Sequence, residues 1–177
     1  MRGLIIRPQI KILPYRSVKE YNPELENKTN LLISIGNGDV AGKVNRLKHK
    51  KAFFDILGID FLDIEISKNE DINSINERKR IYGDLLFNEL HIQKIMNFVE
   101  LYSNEKIDIL VINCSEGKRR SLSVGLVLAK YIFKDYVQYQ NLLNKNKIDM
   151  FGNPYIYKKF KKWATINRYK YKSITQK

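Results

Sequence analysis

Along this chain, short apolar runs alternate with longer amphipathic stretches. Apolar runs of strand length become buried strands, and stretches with helical spacing become the helices that cover them. The pattern therefore predicts an α/β layer fold with a mainly parallel sheet. Ile10 to Leu13 predicts an edge strand ended by Pro14, Leu31 to Ile35 a core strand, and Ile107 to Ile112 the central strand. Ile59, Phe61, Ile64 and Ile66 mark a further strand region, imperfectly alternating. Leu47 to Leu57 has helical spacing, with Phe53, Phe54 and Leu57 on one side and Gly58 as its stop. Lys68 to Glu77 is polar and predicts a loop. Asp84 to Tyr102 predicts a helix with an apolar stripe of Leu86, Leu90, Ile95, Phe98, Val99 and Tyr102. Ser121 to Phe133 predicts a buried helix with Val124, Val127, Leu128 and Ile132 inward, its small Ser123, Gly125 and Ala129 permitting close approach to the sheet. Tyr136 to Leu143 and Tyr155 to Ile166 predict two final helices. There is no internal repeat and no Pro/Gly/Ser linker, so residues 1–177 are expected to form one domain.

The central strand runs directly into Cys114-Ser115-Glu116-Gly117-Lys118-Arg119-Arg120-Ser121, which holds the only cysteine of the chain. A loop between a strand end and a helix start can turn successive backbone N–H groups inward. With the positive end of the helix they form an anion site. Gly117 gives that loop access to positive φ or to a close backbone approach. Arg120 can return its guanidinium to the same centre and grip two phosphate oxygens in a fork. A thiol at the origin of such a loop should have a depressed pKa, and the thiolate is the competent nucleophile. Ser121 can hydrogen-bond the sulfur and help expel it. The alternative for Cys114 is a buried structural thiol, against which stand the polar loop, the glycine and the paired arginines.

At these residues the sequence resembles the Cys-x5-Arg phosphatases, the superfamily of protein tyrosine and dual-specificity phosphatases, most of all the compact dual-specificity-like proteins of bacteria and phages. The likeness extends to Phe87 to Val99, similar to the helix before the nucleophile strand, and to Phe61-Leu62-Asp63, similar to the segment that carries the acid. Leu31 to Ile35 resembles an early core strand and Asn153 to Tyr157 the start of the last helix. It spans about Leu31 to Phe160, with the loop as its specific part. The resemblance implies a three-layer fold with a mainly parallel central sheet flanked by helices. It implies a metal-independent phosphatase, without cofactor, acting on phosphotyrosine and on phosphoserine or phosphothreonine through a phosphocysteine. Cys114 would be the nucleophile, Arg120 the phosphate clamp, Asp63 the general acid and Ser121 the residue that aids release of the sulfur. Ser115, Glu116, Gly117, Lys118, Arg119 and Arg120 would form the phosphate-binding loop. The family has His before the Cys, where this chain has Asn113; Asn can donate through its amide but has no cationic form.

Several other patterns compete. Arg119 lies at the x4 spacing of rhodanese-like sulfurtransferases, but the Arg-Ser pair stands at x5, which favours phosphoryl over sulfur transfer. Arg119 is then an outward-facing charge near the substrate. Asp60, Asp71 and Asp84 are alternatives to Asp63 as acid. His91 and His49 are far apart and lack ligand partners, so His91 is read as a helix-surface or packing residue. Gly36 to Lys43 has part of a nucleotide P-loop pattern, yet position 37 is Asn where the first Gly belongs and Val44 replaces the Ser/Thr. It is read as a loop at the site mouth. No Cys/His cluster fits zinc.

Charge adds one feature. Of the net +13, eight positive charges follow Asp149 with no acidic residue among them. Such a segment attracts nucleic acid or anionic lipid, or serves as a solubilising tail with Tyr and Trp on a terminal packing face; the second is preferred. Lys118, Arg119 and this segment raise a phosphoinositide or an RNA 5′ phosphate as alternative substrates, which Glu116 opposes. A phosphate-binding module without turnover is the other alternative, with Asn113 as its sign. The lone cysteine fits a reducing compartment, and no run is long enough to span a bilayer or act as a signal peptide. The expectation is a cytoplasmic monomer whose partners are phosphorylated proteins or other phosphomonoesters.

Overall fold

Four apolar runs become strands in the computed structural model, which describes residues 7–64, 71–145 and 152–167. They are β1 (Gln9–Pro14), β2 (Asn30–Gly36), β3 (Asp55–Asp60) and β4 (Ile109–Cys114). All pair in parallel, in the order β1-β4-β2-β3. Parallel strands need crossovers, and these are supplied by α1 (Tyr15–Glu20), α2 (Val40–Asn45), and α3 (Ile72–Tyr82) with α4 (Glu89–Leu101); α5 (Arg120–Val127), α6 (Tyr136–Lys145) and α7 (Pro154–Ile166) follow the last strand. A π-helical turn, Leu128–Ile132, prolongs α5.

Side chains of successive strand residues leave the sheet on opposite faces. Ile33, Ile35, Leu110, Ile112 and Cys114 enter one core with Ile92, Ile95, Val124, Val127 and Phe160 from α4, α5 and α7. Leu32, Ile109 and Val111 enter a smaller core with Val18, Leu47 and Phe53. The sheet is thus a middle layer between two helical layers, as the sequence pattern implies. β2 is buried along its whole length, and β4 lies between β1 and β2, so Cys114 ends a central strand at its carboxyl edge. Crevices at that edge are where open α/β sheets bind ligands.

Four expectations need correction. The strand marked by Ile59, Phe61 and Ile64 lies earlier in the chain: β3 ends at Asp60, where its pairing with Gly36 of β2 ends, and residues 61–64 are not strand. The helix at Leu47 to Leu57 does not form: a short 3-10 turn at Lys50–Ala52 leads into β3, and Gly58 lies inside that strand. Register pairing of Leu31 through Gly36 with Asp55 through Asp60 takes precedence over the helical spacing. Phe53 is buried in the smaller core, whereas Phe54 is 55% exposed and meets Tyr102 edge-on, so the two do not share a face. The polar stretch assigned to a loop contains the first half of α3, started by Asp71, whose carboxylate accepts from Asn73 and Ser74 N–H groups. The long helix begins later than Asp84. Gly83–Leu85 is a 3-10 turn, and α4 starts after Asn88, which leaves Leu90 exposed. The expectations at Ile66 and residues 68–70, and the basic stretch beyond Asn167, lie outside the described residues.

Candidate active site

The helices of this chain differ in how they begin. Side-chain oxygens of Asp71, Asn88, Asp135 and Asn153 accept from the first N–H groups of α3, α4, α6 and α7. Such caps satisfy donors that the helix itself leaves open. α5 begins at Arg120 with no side-chain cap from Arg119. Its positive end and open N–H groups face the loop that starts at Cys114.

That loop is fixed against the end of β1. Tyr15 N–H donates to the Ser115 carbonyl at 3.2 Å. Gly117 has φ +65°, and a Cβ there would run into the Leu13 carbonyl and Pro14 nitrogen. Glycine is required at this position on both grounds. On the opposite rim Gly152, φ +67°, lies where a Cβ would strike the Arg119 carbonyl.

Cys114 Sγ is buried, 3.3 Å from Ser121 Oγ. Burial pushes the thiol pKa up. The Ser121 hydroxyl, the Ser121 N–H, the Arg120 charge and the Lys118 N–H together outweigh burial and bring it below the ordinary thiol value. The donors at Lys118 and Ser121 show that loop N–H groups turn toward the sulfur.

Arg120 is 4% exposed. Its Nη1 donates to the Gly36 carbonyl at 2.7 Å, the Phe61 carbonyl at 2.8 Å and Asn37 Oδ1. Nη2 has a long contact of 3.4 Å with Ser115 Oγ, and Nε is buried with no hydrogen-bond partner among the described residues. One end of the guanidinium therefore ties together the loops after β2 and β3. The other edge, Nε and Nη2, is the one that can fork two oxygens of a phosphate.

Asp63 lies just beyond β3, at the rim. Asn153 Nδ2 donates to its Oδ1 at 2.7 Å, and Arg119 Nε lies 3.3 Å from its Oδ2. Arg119, expected as an outward-facing charge near the substrate, is thus half-buried in an ion pair with Asp63. Glu116 and Lys118 are exposed. Of the alternative acids, Asp60 Oδ1 accepts from the Gly38, Asp39 and Val40 N–H groups. The nest that gave Gly36 to Lys43 its P-loop likeness is filled by this carboxylate, and Asp60 is committed to holding that loop. Asp71 caps α3, and Asp84 is an exposed residue of the 3-10 turn.

Asn113 takes no part in tuning the sulfur. Strand alternation sends it to the face opposite Cys114, level with Ser34. Both of its side-chain polar atoms, and Ser34 Oγ, are buried without hydrogen-bond partners among the described residues. Two residues absent from the sequence-based site belong to its frame: Asn37 on Arg120, and Asn153 on Asp63. A cue for Asn153 was its place before Pro154, a helix-start signal; none identified Asn37.

His91 is a packing residue, and its partners are legible. Nδ1 accepts from Asn88 N–H and Nε2–H donates to the Asp60 carbonyl at 2.9 Å, while its ring stacks on Phe87. Burial lowers its pKa, outweighing the bond to Asp60. The unfolded chain therefore takes up a proton near pH 6.5 that the folded protein refuses. Stability is expected to be full above that pH and to fall as the pH drops toward the lowered folded value. His91→Gln, which can keep the capping bond, should show a smaller loss between pH 7.5 and 5.5 in urea denaturation; equal losses would reject the assignment. His49 begins the 3-10 turn at Lys50–Ala52. Among the described residues no group of three or more His, Cys, Asp or Glu could hold a metal ion, and no helix is long and apolar enough to cross a membrane.

No protein-family model matches this chain, and no curated protein matches it in sequence. Solved structures match it in fold. The structure of Tk-PTP in its active form aligns with TM-score 0.49 and 11% identity over 89% of this chain and 94% of that one. The human tyrosine phosphatase-like serine/threonine/tyrosine-interacting protein aligns with TM-score 0.55 and 17% identity, over 91% of this chain and 94% of that one. The polypeptide described above therefore has the fold of a tyrosine phosphatase-like protein, with Cys114 at the carboxyl end of its central strand and Arg120 at the start of the following helix.

Proposed function

We propose that this chain is a cysteine-dependent phosphatase that hydrolyses phosphotyrosine, and also phosphoserine or phosphothreonine, through a phosphocysteine. The observation that carries the reading is the convergence on one point of three things. These are the Cys114 sulfur with its lowered pKa, the uncapped start of α5, and the Nε/Nη2 edge of Arg120.

The thiolate attacks phosphorus, the S–P bond forms and the P–O bond to the leaving group breaks. Loop N–H groups and Arg120 carry the charge on the equatorial oxygens. Asp63 supplies the proton to the leaving oxygen and then takes one from the water that cleaves the S–P bond. Ser121, 3.3 Å from Sγ, stabilises the sulfur as it departs.

The test is hydrolysis of an aryl phosphate by the full chain with chelator present. Activity should be inhibited by vanadate, and the acid limb of kcat/KM should lie below the ordinary thiol pKa. Hydrolysis insensitive to vanadate would reject the thiolate. A second reading, a phosphate-binding module with little turnover, is favoured by one observation: both oxygens of Asp63 already face donors. Phosphopeptide binding without release of phosphate would select it. A preference for phosphoinositides or RNA 5′ phosphates over phosphotyrosine peptides would replace the substrate assignment.

A further inference from the structure

The geometry points to Asp60 as a positioning residue for the phosphate clamp: through the loop after β2 it aims the open edge of Arg120 at the anion. The inference rests on the phosphatase reading above and names what sets its clamp.

A guanidinium is a flat, rigid fork, so fixing one edge fixes the direction of the other. In Arg120 the fixed edge is Nη1. Its N–H groups meet three acceptors: the Gly36 carbonyl, Asn37 Oδ1 and the Phe61 carbonyl. None of the three is a carboxylate, so the charge of Arg120 stays available to the anion. Two of the three belong to the loop after β2. The aim of Nε and Nη2 thus depends on where Gly36 and Asn37 are held.

Asp60 holds them. Its Oδ1 accepts from Gly38 N–H at 2.7 Å and from Asp39 and Val40 N–H, each at 3.1 Å. Gly36 lies opposite Asp60 in the β2–β3 register, and a Cβ on residue 36 would stand 2.2 Å from that oxygen. Only glycine there lets the Asp60 side chain cross to the three N–H groups. Phe61 N–H donates back to the Gly36 carbonyl at 3.2 Å, beside the bond from Nη1. Asn37, Gly38 and Asp39 are exposed, so packing does not fix them; their main-chain donors, gathered on one oxygen, do. Without that oxygen the same N–H groups would turn to water, and Asn37 would be free to leave Nη1. Asp60 is itself held: its carbonyl accepts from Nε2 of the buried His91 at 2.9 Å.

The test compares Asp60→Ala with Asp60→Asn, which keeps an accepting oxygen and loses the charge. A misplacement of about 1 Å at a reacting group costs about 10²-fold. Asp60→Ala should therefore lower kcat/KM on aryl phosphates by about 10²-fold and weaken the rise in melting midpoint given by inorganic phosphate. Asp60→Asn should keep kcat/KM within about tenfold of the wild type, since a neutral acceptor bonds about half as strongly as a charged one. In the Arg120→Lys background Asp60→Ala should add little, because the fork that Asp60 aims is already gone. A merely structural loss would instead add the same factor in both backgrounds, and that result would overturn the positioning role. So would an Asp60→Asn as damaged as Asp60→Ala, or a loss that grew with leaving-group basicity, which would place Asp60 with the acid segment. Should Asp60→Ala melt too early to assay, Asn37→Ala removes one acceptor from Nη1 at an exposed position. It should lower kcat/KM and phosphate protection beside Arg120 and change neither beside Lys; wild-type values in Asn37→Ala would overturn the role. Absence of aryl phosphate hydrolysis by the wild type would reject the phosphatase reading itself, while phosphate protection present in the wild type and lost in Asp60→Ala would still uphold the positioning.

Discussion

Replacing Cys114 with serine is expected to lower hydrolysis of a phosphotyrosine peptide by at least about 10³-fold while leaving phosphate binding in place. The two halves of this result have different physical origins. Nucleophilicity resides in the sulfur: a thiol ionises near the working pH, and here the Ser121 hydroxyl and N–H, the Arg120 charge and the Lys118 N–H favour the ionised form despite burial. A serine hydroxyl in the same place remains protonated under the same field. Binding resides elsewhere, in the Nε/Nη2 edge of Arg120 and in N–H groups shaped by Gly117 and by the uncapped start of α5. Those are untouched by the substitution. Inorganic phosphate should therefore raise the melting midpoint of Cys114→Ser as it does the wild type, since a ligand at a hundred times its Kd stabilises by about 2.7 kcal/mol. Full activity in Cys114→Ser would sink the thiolate mechanism. Loss of both activity and phosphate protection would place the effect in the loop fold instead.

The parts of the molecule legible in the sequence are those whose cause is local or periodic. The nucleophile loop is contiguous, so Cys114, Gly117, Arg120 and Ser121 could be read together, and the structure brings them around one point. The fully buried strands β2 and β4 announce themselves as continuous apolar runs. β3 does not. It is an edge strand with half-buried residues, and its aromatic spacing imitates a helix until β2 pairs with it. α3 was hidden for the opposite reason. Its buried contribution is small and its start is set by an Asp71 cap, so no apolar stripe marks it. The frame of the site was hidden because its bonds join distant positions: Arg120 to Asn37 and Phe61, Asn153 to Asp63, and Asp60 to the loop of Gly38 through Val40. Asn113 illustrates the limit of a motif. Its adjacency to Cys114 implied an influence on the thiol, and strand alternation sends it to the other face.

The second large effect is expected at Arg120, and it should differ in kind from the first. Arg120→Lys preserves the charge but removes the planar fork. A lysine has one nitrogen to serve the Gly36 carbonyl, the Phe61 carbonyl, Asn37 Oδ1 and a phosphate, which Arg120 divides between its two edges. Each donor lost from a transition-state anion costs about 10²-fold or more in rate, so kcat/KM should fall by about 10³-fold. The structural edge matters as well. Nη1 links the loop after β2 to the loop after β3 from a buried position, and buried bonds to a charged group are each worth about 1.5–3 kcal/mol. Urea denaturation of Arg120→Lys should show a loss of that order, whereas Cys114→Ser, which changes one atom beside Ser121, should lose less. Phosphate separates the two most clearly. It should raise the melting midpoint of Cys114→Ser and fail to raise that of Arg120→Lys at the same concentration. If Arg120→Lys kept its activity within about tenfold and kept phosphate protection, the anion would be held by the loop N–H groups alone. Arg120 would then be a structural tie between β2 and β3 and not a clamp.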